Sequence, residues 1–317
     1  MPKISVCIPT YNSAKFIQPC LESVLNQTLT DIEVIVSDNA STDDTTAIIE
    51  SINDSRIQLY RQTQNIGSCE NFNFAISEAK SSLVKSFCSD DIMIPNLLDR
   101  QKEIMDAYSH VGIVSCYSLV INADKVRWVW EVTPGYETGD RILCNSIKTL
   151  TNRYGGPSSF MYRREAIKNQ RYEKQYGYIP DVKLPAMIMR AGWDYYGIPD
   201  VGIKYICHPN QETHSVKHRE SAEWLQLMND FSVFDVTALI ALISRGLEEE
   251  LETIAYQYAA LSSVVSLNES YQLMRLAKSP SAKESARRIF EKLLHAKISS
   301  GTECLEPDWR AFLMNNN

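Results

Sequence analysis

Ile32-Glu33-Val34-Ile35-Val36-Ser37-Asp38-Asn39-Ala40-Ser41 begins as a β-branched run and ends in a cluster of small polar residues. The run is short and rich in Val and Ile, so it reads as a buried strand feeding a loop at its carboxyl end. The same grammar recurs on either side. Ile4 to Ile8 precedes Pro9-Thr10-Tyr11-Asn12, and Leu83 to Cys88 precedes Ser89-Asp90-Asp91. Ile57 to Tyr60 and Val111 to Ser118 are further strands, and helical periods fill the gaps at Ala14 to Asn26, Asp43 to Ile52, Ser68 to Ala79 and Pro95 to Tyr108. Strand followed by helix, repeated four times, predicts an α/β domain with a mostly parallel, Rossmann-like sheet, right-handed crossovers and helices on both faces. Ligands of such sheets sit beyond the carboxyl ends of the strands, where the three polar loops converge.

Composition narrows what such a site holds. The chain has 317 residues, 44% of them hydrophobic, and a formal charge of -7. That balance argues against a general polyanion binder, so no nucleic-acid partner is expected. The eight cysteines are scattered singly with no Cys-x-x-Cys pair, as expected of reduced core thiols in a cytoplasmic protein. Met1-Pro2-Lys3-Ile4 enters the first strand directly, without the pattern of a signal peptide, and the apolar tract Val233 to Ile243 is interrupted by Asp235 and too short to span a bilayer.

Each loop residue offers a job at a nucleotide and a plainer one. Tyr11 presents a flat face for a base, Asp38 presents acceptors, and Asn12, Asn39 and Ser41 present small hydrogen-bonding groups. Ordinary turn chemistry uses the same residues, and Ser41 with Asp44 is close to a capping box. Asp90 and Asp91 are adjacent carboxylates that repel, so they suggest either a hard divalent cation or a helix cap. Neither G-x-G-x-x-G nor a P-loop is present, so a bound diphosphate would need a metal in place of a backbone cradle.

Ser5-Val6-Cys7-Ile8-Pro9-Thr10-Tyr11-Asn12, Leu21-Glu22-Ser23-Val24-Leu25-Asn26-Gln27-Thr28 and Glu33 to Thr45, followed by Asn65-Ile66-Gly67, Asn71 and Ser89-Asp90-Asp91, together resemble family 2 glycosyltransferases. The resemblance implies a GT-A fold, a nucleoside diphosphate sugar donor with UDP favoured, a divalent metal (Mn²⁺ or Mg²⁺) and inversion at the anomeric carbon. By position it implies that Pro9, Thr10, Tyr11 and Asn12 line the base pocket with Asp38, Asn39 and Ser41. Asn65, Gly67 and Asn71 would border the nucleoside, Ser89 and Asp90 would approach the ribose, and Asp91 would bind the metal. The family's usual Asp-x-Asp is read here as Ser89-Asp90-Asp91, which implies one direct carboxylate ligand and weak metal dependence. Bacterial surface-polysaccharide or glycoconjugate assembly, with a saccharide or lipid-linked saccharide acceptor, is the setting the family implies.

The second half must supply a base for the acceptor hydroxyl. Gly155 to Arg164 resembles the acceptor-side loop and strand of the family, and Asp181 in Tyr178-Ile179-Pro180-Asp181 occupies the place of its catalytic Asp. An N-cap is the alternative for Asp181, Pro185 should weaken a long helix, and Glu173, Asp194 and Asp200 fit the role of base less well. A late His contacts metal or diphosphate in relatives. His208 and His214 both qualify, and His214 is preferred for its polar loop, with Lys217 and Arg219 available to neutralise phosphate. Residues 1–219 thus read as the catalytic domain, with a donor half over 1–120 and an acceptor half over 121–219. Residues 220–317 read as a helical region: Trp224 to Ile243, Leu247 to Leu267, Tyr271 to Ala277 and Ala282 to His295, with a break at Ser279-Pro280-Ser281 and a frayed Asn315 to Asn317. Its mixed charge, including Glu248-Glu249-Glu250, favours packing or a homo-oligomer over a peripheral membrane contact. A nucleotide-sugar-binding protein without turnover is the competing reading. A nucleotidyltransferase is disfavoured because Pro9-Thr10-Tyr11-Asn12 lacks the glycine-rich basic loop that activity needs.

Overall fold

The computed structural model describes residues 2–231, 233, 235–244, 255 and 267–299. Its centre is a ten-stranded sheet in the order β3-β2-β1-β4-β9-β6-β10-β5, with β7 paired to β6 and β8 to β10. The strands of the first half are β1 (Ile4–Thr10), β2 (Ile32–Asp38), β3 (Ile57–Arg61), β4 (Leu83–Ser86) and β5 (Ile92–Met93). Those of the second half are β6 (Val111–Asn122), β7 (Lys125–Trp130), β8 (Gly135–Glu137), β9 (Met161–Arg163) and β10 (Asp194–Cys207). β1 to β4 pair in parallel, as the strand–helix alternation predicts, and β10 runs parallel to β6. β9 enters between β4 and β6 antiparallel to both.

β1 and β2 are buried along their whole length. Their continuous apolar runs are what a strand covered on both faces requires. On one face α1 (Ile17–Leu25) and α4 (Leu97–Ala107) supply Ile17, Leu21, Val24, Leu97, Leu98 and Met105 to the main core. α2 (Thr45–Ser51) adds Ile49 to the same core. α3 (Ser68–Ser77) brings the buried Cys69, Asn71 and Ala75 to the sheet, where the Cys7 thiol donates to the carbonyl of Ala75 at 3.2 Å. The seven described cysteines are free thiols.

Several expectations change in the second half. Asp200 was expected in a turn, whereas Asp194–Cys207 is one long strand whose pairing register shifts between Ile198 and Val201. Asp194 and Asp200 are occupied structurally: the first accepts from the Gly139 N–H at 3.1 Å, and the second pairs with Arg100 at 2.6 Å. α5 (Gly139–Thr149) and α6 (Arg164–Ile167) are followed by α7 (Pro180–Arg190), which continues through Pro185. Proline has no N–H to return to the carbonyl four residues earlier, which is that of Asp181. The helix survives because Val182, Leu184, Ala186, Ile188 and Met189 are buried.

Trp224 to Ile243 is not one helix. α9 (Glu220–Phe231) follows the short α8 (Glu212–Val216), and α10 (Val236–Ser244) starts anew with the Asp235 carboxylate accepting from the Ala238 N–H at 3.0 Å. α11 (Leu267–Leu276) and α12 (Pro280–Ser299) flank the expected break, where Ser279 accepts from Ala282 N–H at 3.1 Å and Pro280 takes the first helical position. Leu247 to Leu267 lies almost wholly outside the described residues, as does Asn315 to Asn317. The chain divides into two compact units, Met1–Trp224 and Leu225–Asn317.

Glu33 is a buried carboxylate on β2 that joins three elements. It accepts from Ser5 Oγ at 2.6 Å, from the Lys80 N–H at 2.9 Å and from Gln58 Nε2 at 3.0 Å. Burial opposes its charge, yet these bonds outweigh the desolvation and hold it below its ordinary 4.5. Its contribution to stability is therefore present above the unfolded carboxyl's value and lost as pH falls through the lower folded one. Glu33→Ala should cost about 2–3 kcal/mol at pH 7 in urea unfolding of the native chain, because donors on three elements lose their acceptor. The deficit should shrink on acidification.

Candidate active site

The carboxyl ends of β1 and β2 are fastened by their own loop residues. Thr10 pairs with Asp38 in the ladder, and the Asn39 N–H donates to the Thr10 carbonyl at 2.9 Å. The Asn12 N–H donates to Ser41 Oγ at 2.9 Å, and Asn12 Oδ1 accepts from the Thr42 N–H at 2.8 Å. Asn12 takes a left-handed φ of 49° and Ala40 one of 61°, which Asn accommodates better than Ala. Behind them Asn71 accepts from Ser37 Oγ at 2.6 Å and donates to the Ser37 carbonyl at 2.9 Å. Asn39 donates to Asn65 Oδ1 at 3.0 Å, which also accepts from Gly67 N–H at 2.9 Å, where φ is 86°. Asn12, Asn39, Ser41, Asn65 and Asn71 are thus brought together as one hydrogen-bonded frame. Asp38 stands differently: Oδ2 accepts from the Ser41 N–H at 3.1 Å, while Oδ1 is buried without a partner, as is Thr10 Oγ1. An unsatisfied buried acceptor is costly and suits a donor supplied from outside. Pro9 and the exposed Tyr11 ring lie on the wall of the adjoining cleft.

The acidic pair divides, and not as the sequence suggested. Asp90 faces the cleft, with Oδ2 at 3.1 Å from His208 Nε2 and 3.4 Å from Gln211 Nε2. The imidazole of His208 is stacked on Phe16 with centroids 4.5 Å apart. Asp91 is fully buried, accepting from Ser158 Oγ at 2.5 Å and from the Ile206 N–H at 3.0 Å. Burial first, and then the charge of Asp90, push the Asp91 carboxyl well above its usual range, against those two bonds and Lys85. Ser89 bonds Ser13 side chain to side chain at 2.8 Å. His214 is exposed on α8 and is not on the cleft wall, whereas His208 is. Asp90, expected to approach the ribose, faces the cleft together with His208, while Asp91 and His214, expected to reach the metal, are respectively buried behind the loop and off the cleft wall. The Cys88 thiol and both carboxylates lie within 4.8 Å of one another. On the cleft wall the Asp90 carboxylate and the His208 imidazole, 3.1 Å apart, are a donor set that fits a divalent cation.

Asp181 lies on the wall of the same cleft, whose volume is about 1000 Å³. Asn152 donates to its Oδ2 at 2.9 Å and also holds the tight Gly155 turn, donating to the Gly155 carbonyl at 2.8 Å. Gly155 has φ 111°, and a Cβ there would stand 2.4 Å from Ser159 Oγ. Burial pushes the Asp181 carboxyl up to about 7, with the Glu223 charge adding to it and the Asn152 bond opposing.

Two features escaped the sequence. Glu223 is buried on α9 and accepts three backbone N–H bonds of 2.9 Å, from Gly177, Tyr178 and Ile179, which lead directly into α7. Arg219 pairs with it at 3.0 Å, which commits that cation to structure and not to phosphate. Lys85 is the second: fully buried, donating to the Ser158 carbonyl at 2.6 Å, its amine pushed down to about 8 by desolvation. A Glu four residues after an Arg was the only sequence signal for the first, and a lone Lys in a β-branched run for the second.

The family profile described as Glycosyl transferase family 2 matches residues 5–171, more than half of the chain. The chain belongs to this family. It is a glycosyltransferase with a GT-A fold. An uncharacterized glycosyltransferase of Haemophilus influenzae is 25% identical over 230 residues, which are 69% of this chain and 70% of that one. Chondroitin synthase of Escherichia coli is 37% identical over 163 residues, 48% of this chain but only 23% of that much longer protein. Among solved structures, S. aureus TarS 1–349 in complex with UDP-GlcNAc superposes with a TM-score of 0.60 at 17% identity, covering 96% of this chain and 93% of that one. The mannosyltransferase PcManGT from Pyrobaculum calidifontis, with GDP-Man and Mn²⁺, gives 0.55 at 19%, covering 93% and 88%.

Glu223 makes a prediction about this glycosyltransferase that needs no substrate. In Glu223→Gln the negative charge near Asp181 is gone, so the Asp181 carboxyl should titrate below the native value of about 7. Carbon-13 NMR of that carboxyl reads the midpoint directly. An unchanged midpoint would remove Glu223 from the account of Asp181.

Proposed function

We propose that this enzyme transfers a sugar from a UDP-sugar to a hydroxyl of a saccharide or lipid-linked saccharide acceptor, with inversion and with Asp181 as the base. The observation that carries this reading is the Asp181 carboxyl, raised to about 7 on the wall of the cleft. A base is most effective when its pKa lies near the working pH. At neutral pH roughly half of such a carboxyl is ionised and ready to take a proton, and an alcohol attacking a sugar carbon must lose one. Asn152 orients the acceptor oxygen of that base.

On the donor side Asp38 Oδ1 is free to accept an N–H from the base, and the exposed Tyr11 ring is available for stacking. Asp90 and His208 would hold Mn²⁺ or Mg²⁺, with Asp91 behind them keeping the loop in place. Such an ion supplies charge stabilisation to the leaving diphosphate. UDP is favoured because TarS 1–349, which covers 96% of this chain, is solved with UDP and UDP-GlcNAc, although PcManGT carries GDP-Man. Bacterial surface-polysaccharide or glycoconjugate assembly is favoured by relatives named chondroitin synthase and GalNAc(5)-diNAcBac-PP-undecaprenol beta-1,3-glucosyltransferase. Among the described residues no helix is long and apolar enough to cross a membrane. We assign the enzyme to the cytoplasm, with the residues beyond Trp224 serving packing or self-association rather than chemistry.

Asp181→Asn should lower transfer by about 10²–10⁴-fold while leaving UDP binding intact. If transfer is unaffected, Asp181 is not the base. In the native enzyme kcat/KM should rise about tenfold per pH unit below about 7 and then level off, because only the ionised carboxyl acts. His208→Ala should remove the extra thermal stabilisation by UDP that Mn²⁺ confers, and His214→Ala should not. A chain that binds UDP with Mn²⁺ but transfers to no acceptor would favour binding without turnover.

A further inference from the structure

The cleft does not end at Asp181. Its acceptor wall includes Tyr205 of β10 and Trp130 of β7, whose rings meet edge to face with centroids 6.2 Å apart. The register of the sheet extends this wall outward. Tyr205 pairs with Val120, and Val120 pairs with Trp128, so these three side chains share one face. Trp130 lies two residues from Trp128 on the same strand and therefore on that face too, about 7 Å away along the strand. Trp128 is 59% exposed. A ligand leaving the cleft along β7 passes from a partly buried indole to an open one.

We propose that Trp130 and Trp128 form an outer acceptor subsite that stacks successive sugar rings of a saccharide chain. This rests on the glycosyltransferase reading above and deepens it: the acceptor is a chain of sugars, held beyond its reacting residue. A pyranose has a flat face of C–H groups and a rim of hydroxyls. An exposed indole suits the first, and the exposed polar groups of the same strand, Lys125 and Arg127, suit the second. A protein or membrane contact fits less well, since it needs a broad continuous apolar surface. The other exposed apolar residues of β7 do not supply one. Val129 pairs with Leu119 and Val126 with Ile121, which puts both on the opposite face of the hairpin from Trp128. The cleft side therefore carries one open ring in line with the site, which matches the width of a single polymer strand.

The test uses the whole native chain and oligosaccharide series of defined length (chitin, cellulose, maltose, unsulfated chondroitin and hyaluronan), followed by saturation-transfer NMR and tryptophan fluorescence. At least one series should bind about five- to tenfold more tightly as it lengthens from two rings to four, the gain of one aromatic stack. Trp128→Ala should abolish that gain, and Trp128→Phe should keep most of it. Both variants should melt with the native chain, because the side chain is open to solvent. If no series gains with length, or if Trp128→Ala keeps the gain, the subsite does not exist. Sedimentation with phosphatidylglycerol–phosphatidylcholine vesicles runs alongside. Loss of vesicle binding in Trp128→Ala without any saccharide effect would assign this face to a membrane and overturn the proposal. UDP titration of the native chain tests the donor reading separately, so its failure is not confused with failure of the subsite.

Discussion

One buried carboxylate holds the site together. Asp91 is cut off from solvent, and its two oxygens reach to Ser158 beside the Gly155 turn and to the backbone of Ile206 at the end of β10. A buried carboxyl in that position is tolerable only if its hydrogen-bond partners stay in place, so the acid loop, the Gly155 turn and the strand leading to His208 are fixed relative to one another. Lys85 completes the arrangement from below by holding the Ser158 carbonyl. The Ser158 hydroxyl, which donates to Asp91, also accepts from the Cys88 N–H at 2.9 Å. Asp90 can therefore face outward on a loop anchored by its neighbour.

This explains why the first half of the fold was legible and the acidic pair was not. Continuous β-branched runs and helical periods are local signals, and β1 to β4 with their crossovers follow from them within a residue or two at most ends. Asn12, Asn39 and Ser41 were readable as a set because loops at the carboxyl ends of parallel strands must meet, whereas Asn65 and Asn71 were joined to them only by the family resemblance. Which of two adjacent aspartates faces the cleft depends on what β9 and β10 bring opposite them, and those partners lie far along the chain. β9 and β5 are only a few residues long, and β10 contains Gly197, Pro199 and Gly202, which read as breaks. That His208 and not His214 lines the cleft was hidden for the same reason. A polar, hydroxyl-flanked sequence marks a loop, while the imidazole on the cleft wall is the one that leaves a strand and stacks on Phe16.

Glu223 illustrates a different limit. It is a charged residue in an amphipathic helix, and nothing near it in sequence separates it from any solvated glutamate. Only the fold shows it facing three amide groups at the entry to α7. Two of the three competitors for the base have, by contrast, local roles visible in three dimensions: Asp194 holds the start of α5, and Asp200 is paired on the surface.

The Glu223 clamp also ties the entry to α7 to a residue far beyond it in the chain. The segment matched by the family profile stops at residue 171, yet the carboxyl on α7, the imidazole after β10 and the clamp that orients the approach to α7 all come later. A gene fusion or recombination joint placed at the end of the recognised segment would sever the donor-side loops from the groups they face. A joint placed beyond Glu223 would keep the clamp, the Asp181 carboxyl and the His208 imidazole in one piece with the loops after β1 and β2.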